Sequence, residues 1–261
     1  MTRRRALLGP ATLCLLVLAS IVPQVSAAAT NGTTAFTCKN QGSEHAYAKA
    51  HCTAADHTGG EYEETSVAEN TTTALLGTAG TTEGGKEVMK LKYTFSGIAT
   101  ELQAKGLDLE GSLQNLKAES GEHYVEGEAK LTLTGVSVVA PLGECKVKGE
   151  KIESTQLKLT TKGQGDAVQL APVKGELIAE FTIQSCAIAG TYKLTGSVKG
   201  TADGATLAFT HAAGTSEGTL RLGSPSAPKV GLEGSITLNG RDPVLEETSY
   251  TPLALKTVET P

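Results

Sequence analysis

Between Glu176 and Lys199 hydrophobic and polar positions alternate with a period of two. Leu177, Ala179, Phe181 and Ile183 hold alternate positions in the first half. Tyr192, Leu194, Gly196 and Val198 do so in the second, interleaved with Thr191, Lys193, Thr195, Ser197 and Lys199. Successive side chains of a strand point to opposite faces, so both halves predict half-buried strands with one wet face. The residues Cys186–Gly190 between them predict a hairpin bend that carries a cysteine, and the rest of the chain reads as organised around this hairpin.

Similar signals recur along the chain, separated by glycine. Thr33–Cys38, Glu61–Val67 and Thr71–Ala79 read as strands, whereas the alanine-rich stretch Tyr47–Ala55 admits a short helix. After the Gly/Thr-rich connector Thr78–Lys86 come Glu87–Ser96, Leu107–Leu113, Ala129–Val139, Glu144–Ile152, Gln156–Thr161 and Ala167–Leu170. Ile98–Gln103 stays open, because Ile98 and Leu102 have helical spacing. Beyond the hairpin lie Ala205–His211, Gly218–Leu222, Val230–Leu238 and Pro252–Val258. Strand signals roughly every ten residues, without helix patterns between them, predict an all-β protein: an antiparallel sandwich or barrel-like sheet. The connector divides a small disulfide-clipped N-terminal β region, 30–85, from a main antiparallel β domain, 86–261.

The first 29 residues read differently. Arg3-Arg4-Arg5, an apolar run from Ala6 to Val22 and the small residues Ser26–Ala29 have the form of a secretory signal peptide, cleaved after Ala27 or Ala29. The run is interrupted by Gly9 and Pro10 and falls short of the ~18 apolar residues of a membrane span, and no later segment supplies one. Cys14 leaves with the signal. So do three arginines, which takes the formal net charge from −5 to −8. An acidic exported chain is a poor match for nucleic acid or an anionic membrane. A cell-surface or extracellular partner fits better.

Four cysteines remain: Cys38, Cys52, Cys145 and Cys186. An even number in an exported chain predicts disulfides, in any of three pairings. We favour Cys38–Cys52 as a local clip and Cys145–Cys186 as a longer staple, each contributing about 3 to 4 kcal/mol by loop closure. Such staples support a core without tryptophan and with four phenylalanines.

Candidate chemistry is sparse. Gly214–Gly218 matches G-x-S-x-G, but the nucleophile elbow needs a helix after the serine and a histidine later in the chain. Here a strand pattern follows, and the last histidine, His211, precedes Ser216. Gly80–Glu87 approaches a phosphate-binding loop, yet Glu87 stands where a hydroxyl should meet magnesium, and a strand follows. Cys38, His45, His51, Cys52 and His57 have zinc-ligand chemistry, but adjacent His51 and Cys52 point apart in an extended chain, and export favours the disulfide. Glu61 and Glu63 share a strand face, although paired catalytic carboxylates normally come from separate strands with one of them desolvated. They read as a solvated edge. Asn31-Gly32-Thr33 and Asn70-Thr71-Thr72 fit the glycosylation pattern.

Phe36-Thr37-Cys38 with His51-Cys52, the run Cys186–Val198, Gly231–Leu238 and Thr251-Pro252-Leu253 together resemble a family of secreted, cysteine-containing β-rich proteins from actinobacteria. The resemblance covers most of the mature chain. It implies an extracellular β-rich scaffold and carries no catalytic residue across; this chain has no cysteine between Cys52 and Cys145, where some relatives do. The sequence therefore predicts a secreted structural or interaction protein, not an enzyme and without cofactor or metal. Its alternatives are a small-ligand or glycan-binding module and a hydrolase using a carboxylate pair.

Overall fold

The computed structural model describes residues 30–48, 52, 55–79, 81–82, 85–86, 89–141, 143–164, 167–211, 219–223, 227, 229–241 and 250–259. The signal segment 1–29 and the motif Gly214–Gly218 lie outside them. In chain order the strands are β1 (Thr30–Tyr47), β2 (Ala55–Ser66), β3 (Thr73–Ala79), β4 (Thr81–Thr82), β5 (Gly85–Lys86), β6 (Met89–Phe95) and β7 (Ile98–Ala104). There follow β8 (Gly106–Lys117), β9 (His123–Thr134), β10 (Ser137–Ala140), β11 (Lys146–Val147), β12 (Lys151–Glu153), β13 (Leu157–Thr160) and β14 (Ala167–Pro172). The last are β15 (Leu177–Gln184), β16 (Gly190–Thr195), β17 (Val198–Asp203), β18 (Thr206–His211), β19 (Arg221–Leu222), β20 (Gly231–Arg241) and β21 (Tyr250–Glu259). Among the described residues the one helical turn is the 3-10 turn Lys148–Glu150. The protein is all-β.

Eight strands close an antiparallel barrel in the order β3–β8–β9–β13–β14–β17–β18–β20 and back to β3. Alternation decides what goes inside. On β8, Leu107, Leu109 and Leu113 are buried while Asp108 and Glu110 are exposed. Val125, Ala129 and Leu133 of β9, Leu207 and Phe209 of β18, and Ile236 and Leu238 of β20 complete the wall of the core. Each fully buried leucine of this kind contributes about 1.5–3 kcal/mol.

A further set of pairings closes a second circuit. It runs β20–β6–β7–β10–β11–β15–β16–β19. It returns to the start of β20 through the bridge Arg221–Lys229 and the Val230 N–H donated to the Leu220 carbonyl. Its core holds Tyr93, stacked Phe181 and Tyr192 with ring centroids 5.5 Å apart, and Ile183. The disulfide Cys145–Cys186 joins the segment before β11 to the β15–β16 bend, where the Tyr192 hydroxyl donates to the Ile188 carbonyl at 2.5 Å. At the seam between circuits β9 pairs with β12 and then with β13. Ser154 links those two strands, and its Oγ accepts the Leu131 N–H at 2.8 Å.

Several local readings change: the strand expected over Ala129–Val139 is divided between β9 and β10, and that over Glu144–Ile152 between β11 and β12 by the 3-10 turn Lys148–Glu150. The strand expected over Tyr192–Val198 ends at Thr195, because Gly196 turns the chain at φ +99. Val198 then opens β17, which pairs with β14 in the barrel. A glycine inside a strand pattern tolerates a backbone turn that a side chain resists. The short helix admitted over Tyr47–Ala55 falls mostly on residues outside the described ones, 49–51 and 53–54; its ends, Tyr47 and Ala55, are strand residues paired with each other, and Cys52 between them is bonded to Cys38 of β1. The open stretch at Ile98 is strand β7, paired with β6 along its length.

Candidate functional site

β1 is the centre of a sheet that extends β20 beyond the barrel, in the order β20–β21–β1–β2. Its register pairs Phe36 with Ala254, Thr34 with Lys256 and Cys38 with Glu64. Directly opposed residues share a face, so Phe36, Glu64, Ala254 and Lys256 lie on one side. Ala35, Leu253 and Leu255 occupy the other and are buried. On the first side lies a cleft of about 490 Å³ lined by Phe36, Glu64, Lys256, Thr237, Asn239 and the Gly204–Ala205 turn. The disulfide Cys38–Cys52 also borders it. A neighbouring hollow of about 600 Å³ shares Gly204 and Lys256 and adds Thr33, Asp203 and Thr257.

The polar chemistry centres on one ion pair. Lys256 Nζ reaches both carboxylate oxygens of Glu64, at 2.7 and 2.5 Å, across the intervening strand β1. Both side chains are partly exposed, so water screens the pair and its stabilisation is modest, below about 1 kcal/mol. The effect on the cleft is larger: the ammonium and the carboxylate offer donors and acceptors while their charges offset each other.

The interior offers less room. The apolar cavity lined by Leu131, Leu170, Leu194 and Phe209 measures about 50 Å³. Small-molecule sites occupy ~300–1,000 Å³, so the interior cavity is too small, while the outer cleft, its neighbouring hollow and a third surface hollow of about 460 Å³ by Thr155 and Lys174 fall in that range.

The residues singled out in the sequence are dispersed. Cys38 and Cys52 are bonded to each other, as are Cys145 and Cys186, so none of these sulfurs is a thiolate ligand. His45 faces Glu63, Nδ1 to Oε2 at 3.4 Å, and its Nε2 lies 3.2 Å from the Gln41 carbonyl. His51 lies outside the described residues, and His57 falls within β2. Among the described residues no group of three or more metal-ligating side chains comes together. Glu61 and Glu63 are exposed on β2, whose one described neighbour strand is β1, as a solvated edge requires. The phosphate-loop-like sequence contains a two-rung ladder, Thr81–Lys86 and Thr82–Gly85, in place of a helix start.

Burial and charge shift few ionisable groups. Hydrogen bonding to Glu233 at 2.6 Å raises the Lys92 pKa against partial desolvation. Lys151, with help from Lys130, lowers that of half-exposed Glu153. Burial, then the neighbouring Tyr192, pushes the Tyr93 phenol above its ordinary range. None of these groups lines the cleft. Asn239 and Lys256 were not singled out in the sequence, and Phe36 entered only through the run Phe36-Thr37-Cys38, because 192 residues separate Lys256 from Glu64 and no local pattern links them. No protein-family model, curated protein or solved structure matches the chain.

Proposed function

We propose that the chain is exported and serves as a structural or interaction protein of the cell surface or extracellular space, binding a partner rather than transforming a substrate. One observation carries the reading. Among the residues whose burial is described, every buried polar side chain other than the tyrosines is a neutral hydroxyl or amide, such as Thr37, Thr100, Asn115 and Ser154, with no carboxylate, ammonium or imidazole among them. Acid–base catalysis by a carboxylate pair calls for one member desolvated to hold its proton near neutral pH. The basic leader, the two disulfides and the likeness to secreted actinobacterial proteins support export.

The alternative of a small-ligand or glycan-binding module is favoured by the Phe36 cleft, which lies on the outer surface and not in the barrel. The test for the main reading uses culture medium and washed cell envelopes. The mature chain is expected in the medium or on the envelope, beginning at Ala28 or Thr30. The purified protein should sediment with envelopes and turn over no ester, glycoside or peptide substrate. Retention in the cytoplasm, or turnover of any such substrate, overturns it.

A further inference from the structure

We propose that the cleft over Phe36 binds a neutral glycan, with the phenyl ring as its floor and Glu64, Lys256, Asn239 and Thr237 as its polar walls. The proposal rests on the reading of the protein as a binding module.

Three properties select this ligand class. Size comes first: about 490 Å³ falls within the range of small-molecule sites, and the adjoining hollow past Lys256 lets a longer chain continue. Charge comes second. With Lys256 neutralised by Glu64, the walls attract neither polyanions nor polycations, while presenting ammonium donors, carboxylate acceptors and an amide that does both. A sugar hydroxyl, itself donor and acceptor, complements that mixture. The third is the floor. The C–H face of a sugar ring is apolar and weakly positive, and it packs against the negative face of an aromatic ring.

The sheet also disfavours an extended peptide inside the cleft. Recognition by strand addition uses unpaired backbone groups. β1, which carries Phe36, is paired on one side with β2 and on the other with β21, so its backbone is committed.

The test titrates the disulfide-intact protein with cellohexaose, laminarihexaose and chitohexaose by calorimetry, with dextran sulfate as the polyanion. At least one neutral hexasaccharide is expected to bind saturably, unaffected by added salt, while dextran sulfate does not bind. Phe36→Ala should weaken that binding about 10-fold or more, the loss of an aromatic anchor. Asn239→Ala, a change on the outer face of β20, tests the wall if the Phe36 variant does not fold. Glu110→Gln, on the exposed face of β8, should leave binding unchanged. A folded protein that binds none of the three, or variants Phe36→Ala and Asn239→Ala that bind as the parent does, overturns the ligand class. Preferential binding of dextran sulfate overturns it too. New reducing ends during the titration keep the ligand class and overturn the non-catalytic reading, so the two failures are distinguishable.

Discussion

The side chain of Asn115 stands in for a strand against Ala35. Its Oδ1 accepts the Ala35 N–H at 2.8 Å and its Nδ2 donates to the Ala35 carbonyl at 3.0 Å, the pattern of a backbone pair made by an amide side chain. Nδ2 also donates to the Val67 carbonyl at 2.7 Å, and Asn115 is 2% exposed. One residue thus ties the β1–β2 layer to the barrel strand β8.

Asn115→Ala leaves the Ala35 N–H without its partner in a buried place, while the Val67 carbonyl keeps the Ser66 hydroxyl, which donates to it at 3.2 Å. An unmet buried group costs about 1–3 kcal/mol, and a loss in that range is expected in urea unfolding. Asn115→Asp should be no milder, because the new carboxylate cannot donate to either carbonyl. A loss below about 1 kcal/mol would show that water replaces the amide easily.

Tyr93 presents the opposite case. The residue is 2% exposed and its hydroxyl has no hydrogen-bond partner in reach among the described residues; the nearby Thr100 opposes the burial effect and is the smallest of its causes. Tyr93→Phe should be neutral or stabilising, by up to about 2 kcal/mol, since it removes a buried group with unmet hydrogen-bonding needs.

The same residue sets an alkaline limit. Burial holds the folded-state pKa of Tyr93 above the unfolded value of about 10, so the folded protein binds a proton that the unfolded chain releases. This contribution is intact below pH ~10 and is lost as pH rises through the folded value. Burial raises Tyr192 in the same direction, and Glu233 raises half-exposed Lys92, a smaller contribution. Urea midpoints should therefore fall between pH 9 and 11, and more gently in Tyr93→Phe; identical slopes would remove Tyr93 from the account.

Disulfide removal should rank by loop length. The closed loops span separations of 41 and 14 residues, for Cys145–Cys186 and Cys38–Cys52. Chain entropy then gives about 4 and about 3 kcal/mol. The double variant Cys145→Ser/Cys186→Ser is expected to lose more stability than Cys38→Ser/Cys52→Ser, and the reverse order would overturn the loop-length argument.

Gly111 faces a crowded point of the β8–β9 pair. A Cβ there would lie 2.1 Å from the Glu128 carbonyl oxygen and 2.6 Å from the Ala129 Cα, both backbone atoms that cannot step aside cheaply. Gly111→Ala should cost about 3 kcal/mol or prevent folding. A thermal midpoint within a few degrees of the parent would mean that the strands separate at little cost.

Strand positions were legible because alternation is local: the buried and exposed series on β8, β15 and β16 is written into consecutive residues. Partner choice was not. The side chain of Asn115 meets Ala35 across 80 residues, and Glu64 meets Lys256 across 192, so nothing near either residue announces the meeting. The cysteine pairing was legible because four cysteines after a signal-like leader predict disulfides, and each cysteine is bonded to its neighbour in sequence. The cleft was hidden for the opposite reason: Phe36, Asn239 and Lys256 come from three strands and form a surface only once the register is set. Gly196 misled because a glycine at an alternating position looks like part of the strand it ends.

β20 belongs to both closed circuits, with β6 beside its first residues, β3 beside its last and β18 along its other flank. Withdrawing that strand from one ring therefore strips rungs from the other. The two rings are expected to melt in a single cooperative transition, with hydrogen exchange at Ile236 and Leu238 reporting the global opening event for the whole assembly.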